Sequence, residues 1–189
     1  MKINGSPAAA ALRVSPGAIH FRKTSDFDVP LDDLWAFHMR PEALSLLSPP
    51  LTGFRVVDRG AGVANGSVLR ADVGRWPLKQ GWVALHVAVE PYRSFTDIAL
   101  ESPFRYWVHV HDFEAIGSGK SRLTDSVWFV PPRHIGRTLG RIVVKPLLRL
   151  MFSWRHRVTR RETENNAKRR SVLRNQNALC GQGLRGGPS

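Results

Sequence analysis

The stretch from Phe104 to Pro131 constrains the fold most, because it has the pattern of two long β-strands joined by a glycine-containing turn at residues 116–119. Side chains of a strand alternate between its two faces, so every second residue shares a side. One face of this hairpin combines aromatic, imidazole and carboxylate side chains: Trp107, His109, His111, Phe113, Leu123, Asp125, Val127 and Phe129. Folding about Gly117 places His109 opposite Asp125, within contact range. The pattern therefore predicts the wall of a pocket.

The rest of the chain predicts an α+β domain around this hairpin. Alternating residues in 18–28 indicate a first strand, and two short helices follow, one after Pro30 and one over residues 42–47. Further strands are predicted at 54–59, 67–73, 80–90 and 94–100, with short connections that favour an antiparallel meander. The only element left to cover the concave face is a helix beginning near Ile135. We therefore predict a curved antiparallel sheet of about six to seven strands wrapped around a long C-terminal helix.

The predicted long helix carries an apolar stripe that we expect to pack on the sheet. Ile142, Leu147 and Met151 are its predicted contribution to the pocket. Pro146 interrupts the helix and is expected to kink or divide it, because proline lacks the N–H group of an α-helical hydrogen bond.

Length and composition indicate one domain with tails. The chain has 189 residues, 42% of them hydrophobic, and a single cysteine near its end. This excludes a disulfide framework and fits a cytoplasmic protein. No apolar run reaches the roughly 20 residues of a membrane-spanning helix. We predict a flexible leader at 1–16, a ligand-binding domain at 17–163 and a basic disordered tail at 164–189.

The net charge of +13 is concentrated in the last third of the chain. Residues 1–132 carry 14 basic and 13 acidic side chains, whereas residues 133–189 carry 14 basic and 2 acidic ones. This asymmetry either serves solubility or indicates an anionic partner for the segment Arg133–Arg174. An anionic membrane surface and non-specific binding of nucleic acid are equal candidates, since no sequence-specific DNA- or RNA-binding motif is present.

Several separated motifs, in this order of elements, resemble the helix-grip proteins of the SRPBCC, or START-like, superfamily, which includes polyketide cyclase/dehydrase-like proteins. They are RPEAL at 40–44, SPP at 48–50, W-x-H-x-H-x-F at 107–113, L-x-D-x-V at 123–127 and MFSWRHRVTR at 151–160. The resemblance covers roughly residues 18–163 and is sharpest in a bacterial branch with no established reaction. It implies a domain that binds a hydrophobic or amphipathic small molecule, without a cofactor, between sheet and helix.

The resemblance also implies that the motif positions face the cavity. The predicted ligand-binding residues are Trp82, His86, Trp107, His109, His111, Asp125, Phe129, Ile142, Leu147 and Met151. Three interpretations of the histidines stay open. His109 is a buried histidine satisfied by Asp125, or the pair anchors a ligand, or it performs acid–base chemistry or binds metal. No Cys or Glu completes an obvious ligand set, so we predict no metal site.

A cyclase- or dehydratase-like enzyme using His109 with Asp125 is therefore the alternative to a binding protein, and a membrane- or nucleic-acid-associated protein is a third. The opposite faces of the central strands are also apolar, with Val83, Leu85 and Val87 on one strand and Tyr106 and Val108 on another. If these faces point outward, the sheet presents an apolar surface that predicts a partner or a homodimer contact.

Overall fold

In the computed structural model, residues 14–182 are described, apart from Trp76 and Leu78. Seven antiparallel strands form one sheet, in the spatial order β1-β7-β6-β5-β4-β3-β2. The strands are β1 (Ile19–Phe27), β2 (Arg55–Asp58), β3 (Val68–Val73), β4 (Gln80–Glu90), β5 (Ser94–Glu101), β6 (Tyr106–Gly117) and β7 (Lys120–Val130). Consecutive strands from β2 to β7 are neighbours, which confirms the predicted meander, and β1 closes the order by pairing with β7.

Two short helices connect β1 to β2. Helix α1 (Leu31–His38) follows Pro30 and has Asp32 and Asp33 in its first turn, where carboxylates favour the positive end of a helix. Helix α2 (Ala43–Leu46) and a 3-10 turn (Pro50–Thr52) follow. Leu34 and Phe37 of α1 are fully buried, so α1 closes one end of the concave face.

The C-terminal helical segment is divided, as the position of Pro146 predicted. Helix α3 (Gly136–Leu139) leads into a π-helical turn (Gly140–Val144), and helix α4 runs over Lys145–Gln182. Proline is tolerated in the first turn of a helix, where its missing N–H group has no intrahelical partner. The widened turn thus ends where α4 begins.

Helix α4 extends further than the predicted domain. We predicted disorder from residue 164, whereas the helix continues to Gln182. The segment 164–180 contains no glycine or proline, so nothing in its backbone chemistry ends the helix. Residues 1–13 of the predicted leader and 183–189 of the predicted tail lie outside the described residues.

The core lies between the concave face of the sheet and the helices. One apolar cluster joins β1, β6 and β7 to the beginning of α4 through Phe21, Trp107, Phe129, Leu148 and Phe152. A second cluster lies at the other end of the sheet, under α1: Phe27, Val29, Leu34, Trp35, Phe95, Phe113 and Leu123. The polar side chains of the concave face lie between these two clusters.

The convex face of the sheet is less exposed than the sequence suggested. Val83 and Val108 are buried, and Leu85, Val87 and Tyr106 are half-buried. The predicted homodimer contact on this face stays a prediction.

Candidate functional site

Ionisable side chains from four strands meet on the concave face. His86 lies on β4, Asp97 on β5, His109 and His111 on β6, and Asp125 on β7. The strand register explains their meeting, since His86 is paired with Asp97, Asp97 with His109, and His111 with Asp125. Every one of these positions points to the same face because the strands alternate with period two. His156 of α4 completes the set, which we call the acid–histidine network.

Asp125 is the centre of this network. Its Oδ1 accepts a hydrogen bond of 2.9 Å from Nε2 of His109 and lies 2.8 Å from Nδ1 of His111. Its Oδ2 accepts a hydrogen bond of 2.6 Å from Nε2 of His156. The Asp125 side chain is 3% exposed, so three imidazole rings replace the water that a carboxylate would otherwise need.

Asp97 forms the second acidic centre. Its Oδ2 accepts a hydrogen bond of 3.2 Å from Nε2 of His111 and lies 3.9 Å from Nδ1 of His109. Its Oδ1 lies 3.2 Å from Nε2 of His86 but makes no hydrogen bond, although the atom is buried. The Asp97 side chain is 23% exposed, more than any other member of the network, so the network reaches solvent here.

Burial and charge separate the pKa values of the two histidines on β6. Burial lowers the pKa of His109 to about 4, assisted by the neighbouring His111. Burial also disfavours the charged form of His111, but the carboxylates of Asp125 and Asp97 outweigh it and raise the pKa to about 9. His109 is therefore neutral near pH 7, whereas His111 is an imidazolium between two carboxylates.

Both carboxylates stay ionised despite their burial. Burial alone would raise the pKa of Asp97, but His111 and the other nearby imidazoles lower it to about 2. The same balance holds the pKa of Asp125 well below its usual range. A second cation, Arg155 of α4, is close enough for both carboxylates to stabilise its charge, while burial lowers its pKa.

Arg155 is the most unusual side chain near the network. Its guanidinium carbon lies 5.3 Å from the centre of the Phe152 ring, and its Nε is buried without a hydrogen-bond partner. A guanidinium held against an aromatic ring keeps its in-plane N–H groups available for an anionic group.

Most of the predicted binding residues lie where the sequence placed them. Trp82, Trp107 and Phe129 are on the concave face, and Trp82 packs edge-on against Trp107 with 5.3 Å between ring centroids. His86, His109, His111 and Asp125 all belong to the network. Met151 is half-buried against the cluster that contains Phe152. Whether these residues bind a ligand stays a prediction.

Two predicted pocket residues of the helix are wrong. Ile142 is 67% exposed and Leu147 is 57% exposed, so neither contacts the concave face. They belong to an apolar stripe that faces solvent, whereas the third predicted residue of the helix, Met151, is half-buried. The buried positions of the helical segment include Val144, Leu148, Phe152, His156, Val158, Thr159 and Thr163.

The hairpin register differs from the prediction by two residues. His111, not His109, is paired with Asp125, and His109 is paired with Val127. The hairpin turns one residue later than Gly117, with a bulge between Ala115 and Gly117. A shift of two preserves the face of every side chain, so His109 still reaches Asp125 diagonally.

Sequence reasoning missed Asp97 and His156. Asp97 lies in an apolar strand segment, Phe95 to Leu100, where its alternation with Phe95 and Ala99 marks the inward face. His156 lies within the MFSWRHRVTR motif, four residues after Phe152, one helical turn further on. Both signals were present, but they become informative only when the register of neighbouring elements is known.

Comparison with known proteins supports the fold. The sequence matches no protein-family model, and no curated protein is detectably similar to it in sequence. Among solved structures, the Zhui aromatase/cyclase from Streptomyces sp. R1128 is similar, with a TM-score of 0.61, 15% identity and coverage of 79% of this chain and 96% of that one. A norcoclaurine synthase from Thalictrum flavum gives a TM-score of 0.58 at 13% identity, with coverage of 79% and 96%.

A third similar structure is a much longer protein. It is the nucleoside-diphosphate sugar epimerase from Corynebacterium glutamicum, with a TM-score of 0.56 and 24% identity. The match covers 76% of this chain but only 29% of the epimerase. The seven-stranded sheet and the long C-terminal helix match the predicted architecture in full. With these structural similarities, they show that the chain has a helix-grip fold like that of the aromatase/cyclase and the norcoclaurine synthase.

Proposed function

We propose that this domain binds a hydrophobic or amphipathic small molecule between the concave face of the sheet and α4. The observation that carries the proposal is the acid–histidine network, a set of buried charges between two apolar clusters. Small-molecule sites combine apolar walls with a few polar groups that orient the ligand. Trp82, Trp107 and Phe129 would supply the walls, and the network would supply the polar anchor.

Support for the proposal comes from the free-energy cost of burying the charged groups of the network. Burying two carboxylates is expensive, and apolar residues of similar volume often give equal or better stability. The arrangement also includes buried atoms without hydrogen-bond partners: Asp97 Oδ1, His111 Nδ1, His156 Nδ1 and Arg155 Nε. A purely structural network would be expected to satisfy such atoms. A ligand with polar oxygen atoms would do so.

The experiment is native mass spectrometry of freshly purified protein, followed by titration with fluorescent fatty-acid and aromatic probes. We expect a co-purifying molecule or a probe affinity in the micromolar range, weakened at least tenfold by Trp107→Ala and unchanged by the control Val57→Ala. Val57 is 57% exposed on β2, away from the concave face. Absence of binding across both probe classes would contradict the proposal.

An acid–base enzyme is the alternative that the geometry allows. The hydrogen bond of 2.9 Å between His109 and Asp125 is that of a base and its orienting carboxylate. His109 is neutral near pH 7 and could accept a proton from a bound substrate. If the site is catalytic, His109→Gln should abolish turnover while the affinity for the same ligand changes less than about tenfold. A variant with undiminished turnover would exclude this role.

A peripheral membrane function is favoured by a different surface. Large apolar side chains on the outer side of the C-terminal helical segment are between 43% and 69% exposed: Leu139, Ile142, Val143, Leu147 and Leu150. We name these residues the outer stripe. Cations alternate with them in sequence: Arg137, Arg141, Lys145 and Arg149.

The outer stripe has the chemistry of a helix that lies in a membrane interface. Apolar side chains enter the acyl region of such an interface, and flanking cations contact anionic headgroups. Nucleic acid would engage the cations but give the apolar residues no partner, so the anionic membrane is the better candidate. No helix among the described residues is long and apolar enough to cross a membrane. The proposed contact is a surface contact that would bring the proposed ligand site to a lipid bilayer.

A further inference from the structure

We propose that the acid–histidine network binds one divalent transition-metal ion of the Zn²⁺ type, with Asp97, His109 and His111 as ligands. Each of these residues offers one ligand atom, and the three atoms lie within 4.8 Å of one another. Two imidazoles and one carboxylate form a set that suits Zn²⁺ and non-haem iron. The ion can be bound with or without the hydrophobic ligand proposed above.

The distances fit a shared ion. Bonds of about 2.0–2.2 Å around a tetrahedral centre place neighbouring ligand atoms about 3.3–3.6 Å apart. Oδ2 of Asp97 lies 3.2 Å from Nε2 of His111 and 3.9 Å from Nδ1 of His109. All three ligand atoms lie within 4.8 Å of one another, so side-chain movements on the order of 1 Å would bring them to the separations of a tetrahedral site.

The strongest support is how the two imidazole rings are oriented. The nitrogen atom of each ring that faces away from Asp97 lies close to a second carboxylate: Nε2 of His109 donates to Oδ1 of Asp125 at 2.9 Å, and Nδ1 of His111 lies 2.8 Å from the same oxygen without hydrogen-bond geometry. Metal-binding histidines usually contact a carboxylate through the nitrogen atom that does not bind the metal, and this contact sets the tautomer and the ring orientation. His156 in turn orients Asp125 through a hydrogen bond of 2.6 Å.

The tautomer of His109 agrees with this assignment. Its Nε2 donates to Asp125, so in the neutral ring the lone pair is on Nδ1, the atom that faces Asp97. His111 would bind through Nε2, and the ion would replace the proton that this atom donates to Asp97, with the proton released to water.

A further imidazole contacts the other carboxylate oxygen of Asp97. Nε2 of His86 lies 3.2 Å from Asp97 Oδ1, the buried oxygen that has no hydrogen bond. Nδ1 of His86 lies 3.4 Å from the carbonyl oxygen of Ser67, which orients the ring. The partly exposed Asp97 side chain gives the ion a route from solvent. The site therefore has three protein ligands and a position open for water or a ligand oxygen.

The test begins with chelator-treated full-length protein and isothermal titration with ZnCl₂. We expect one ion per chain with a dissociation constant below about 1 µM. Asp97→Asn and His109→Gln should each weaken zinc binding at least 100-fold. Replacing a residue that only hydrogen-bonds to a metal ligand typically weakens metal binding 10- to 100-fold. His134→Gln is the matched control, because His134 is an exposed histidine between β7 and α3 and should bind as the unchanged protein does.

A second measurement does not depend on the folding of variants. X-ray absorption at the zinc edge of the loaded, unchanged protein should show two imidazole ligands together with oxygen. Circular dichroism of each variant shows whether lost binding reflects lost folding. The proposal is overturned if the unchanged protein binds no stoichiometric zinc, if the spectrum lacks imidazole scattering, or if folded Asp97→Asn binds zinc as tightly as the control.

Discussion

Asp125 of β7 and His156 of α4 are joined by a hydrogen bond of 2.6 Å across the interface between sheet and helix. Both side chains are 3% exposed. Because the same carboxylate also holds His109, this contact ties the position of the long helix to the geometry of the candidate site. The helix is therefore part of the site and not only its cover.

Removing the carboxylate should destabilise the protein strongly. Asp125→Asn keeps the shape but leaves His109, His111 and His156 without their charged acceptor. Breaking a buried ionic network costs about 3–5 kcal/mol, so we expect a loss of that order in urea unfolding. Asp72→Asn is the matched control, since Asp72 pairs with the exposed Arg55 and Lys79 at the sheet edge and should leave the unfolding midpoint almost unchanged. Equal midpoints for both variants would contradict the central role of Asp125.

Acid should destabilise the fold through His38 of α1. Burial lowers the pKa of His38 from 6.5 to about 4, although its Nδ1 donates a hydrogen bond of 2.8 Å to the Leu34 carbonyl. His38 therefore binds a proton near pH 6.5 in the unfolded chain. In the folded chain it does so only when the pH falls to about 4. Stability that is present above pH 6.5 is lost as the pH falls from 6.5 to 4, by up to about 3 kcal/mol.

The measurement is a set of urea unfolding curves between pH 7 and pH 4. Replacement of His38 by Gln keeps an N–H donor for Leu34 and removes the titration, so its pH dependence should be shallower. His111, Asp125 and His156 are titratable groups that act electrostatically on His38, and their contribution remains in both proteins. Identical slopes for the two proteins would show that His38 does not titrate in this range.

Replacement of Gly140 by alanine should lower the free energy of unfolding. A Cβ atom there would overlap Pro131 and lie 3.1 Å from Cδ1 of Ile19. Alanine normally favours a helix by about 1 kcal/mol relative to glycine, whereas forced overpacking costs about 1–3 kcal/mol. The sign of the change in unfolding free energy is therefore diagnostic, and we expect Gly140→Ala to destabilise. Gly81→Ala on β4 is the control, because a Cβ there meets nothing within 4 Å.

The outer stripe should direct binding to membranes but not to DNA. The double variant Ile142→Ser and Leu150→Ser should weaken binding to anionic vesicles at least tenfold, because two apolar side chains no longer enter the acyl region. Val57→Ser with Leu100→Ser removes two exposed apolar residues elsewhere and should have no effect.

A salt series separates the two candidate partners of the basic segment. Attraction through the cations alone weakens steeply as salt rises, for vesicles and DNA alike. We expect vesicle binding to persist at salt concentrations that abolish DNA binding, since the apolar contribution is not screened. Loss of both at the same salt concentration would leave only non-specific electrostatic attraction.

The sequence alone was sufficient for the order of elements and for the inward face of the strands. The bounds of β4 were predicted without error, because an alternating segment is ended on one side by Pro91. Period-two alternation placed His109, His111 and Asp125 on the concave face regardless of register. These features follow from local backbone geometry, which is the same wherever the strand lies.

Only the tertiary structure decided which partners meet and which face of the helix is buried. The register of β5 against β6 brought Asp97 to the two histidines, and a hairpin turn centred one residue later than predicted moved the pairing of Asp125 by two residues. The helix has two apolar stripes, and the sheet accepts the one with Val144, Leu148 and Phe152. Sequence periodicity ranks the faces of a helix only by their hydrophobicity. The buried face is the one that packs against the concave side of the sheet and places His156 within hydrogen-bond distance of Asp125. Pairings between residues distant in sequence depend on the whole assembly, and no local pattern contains them.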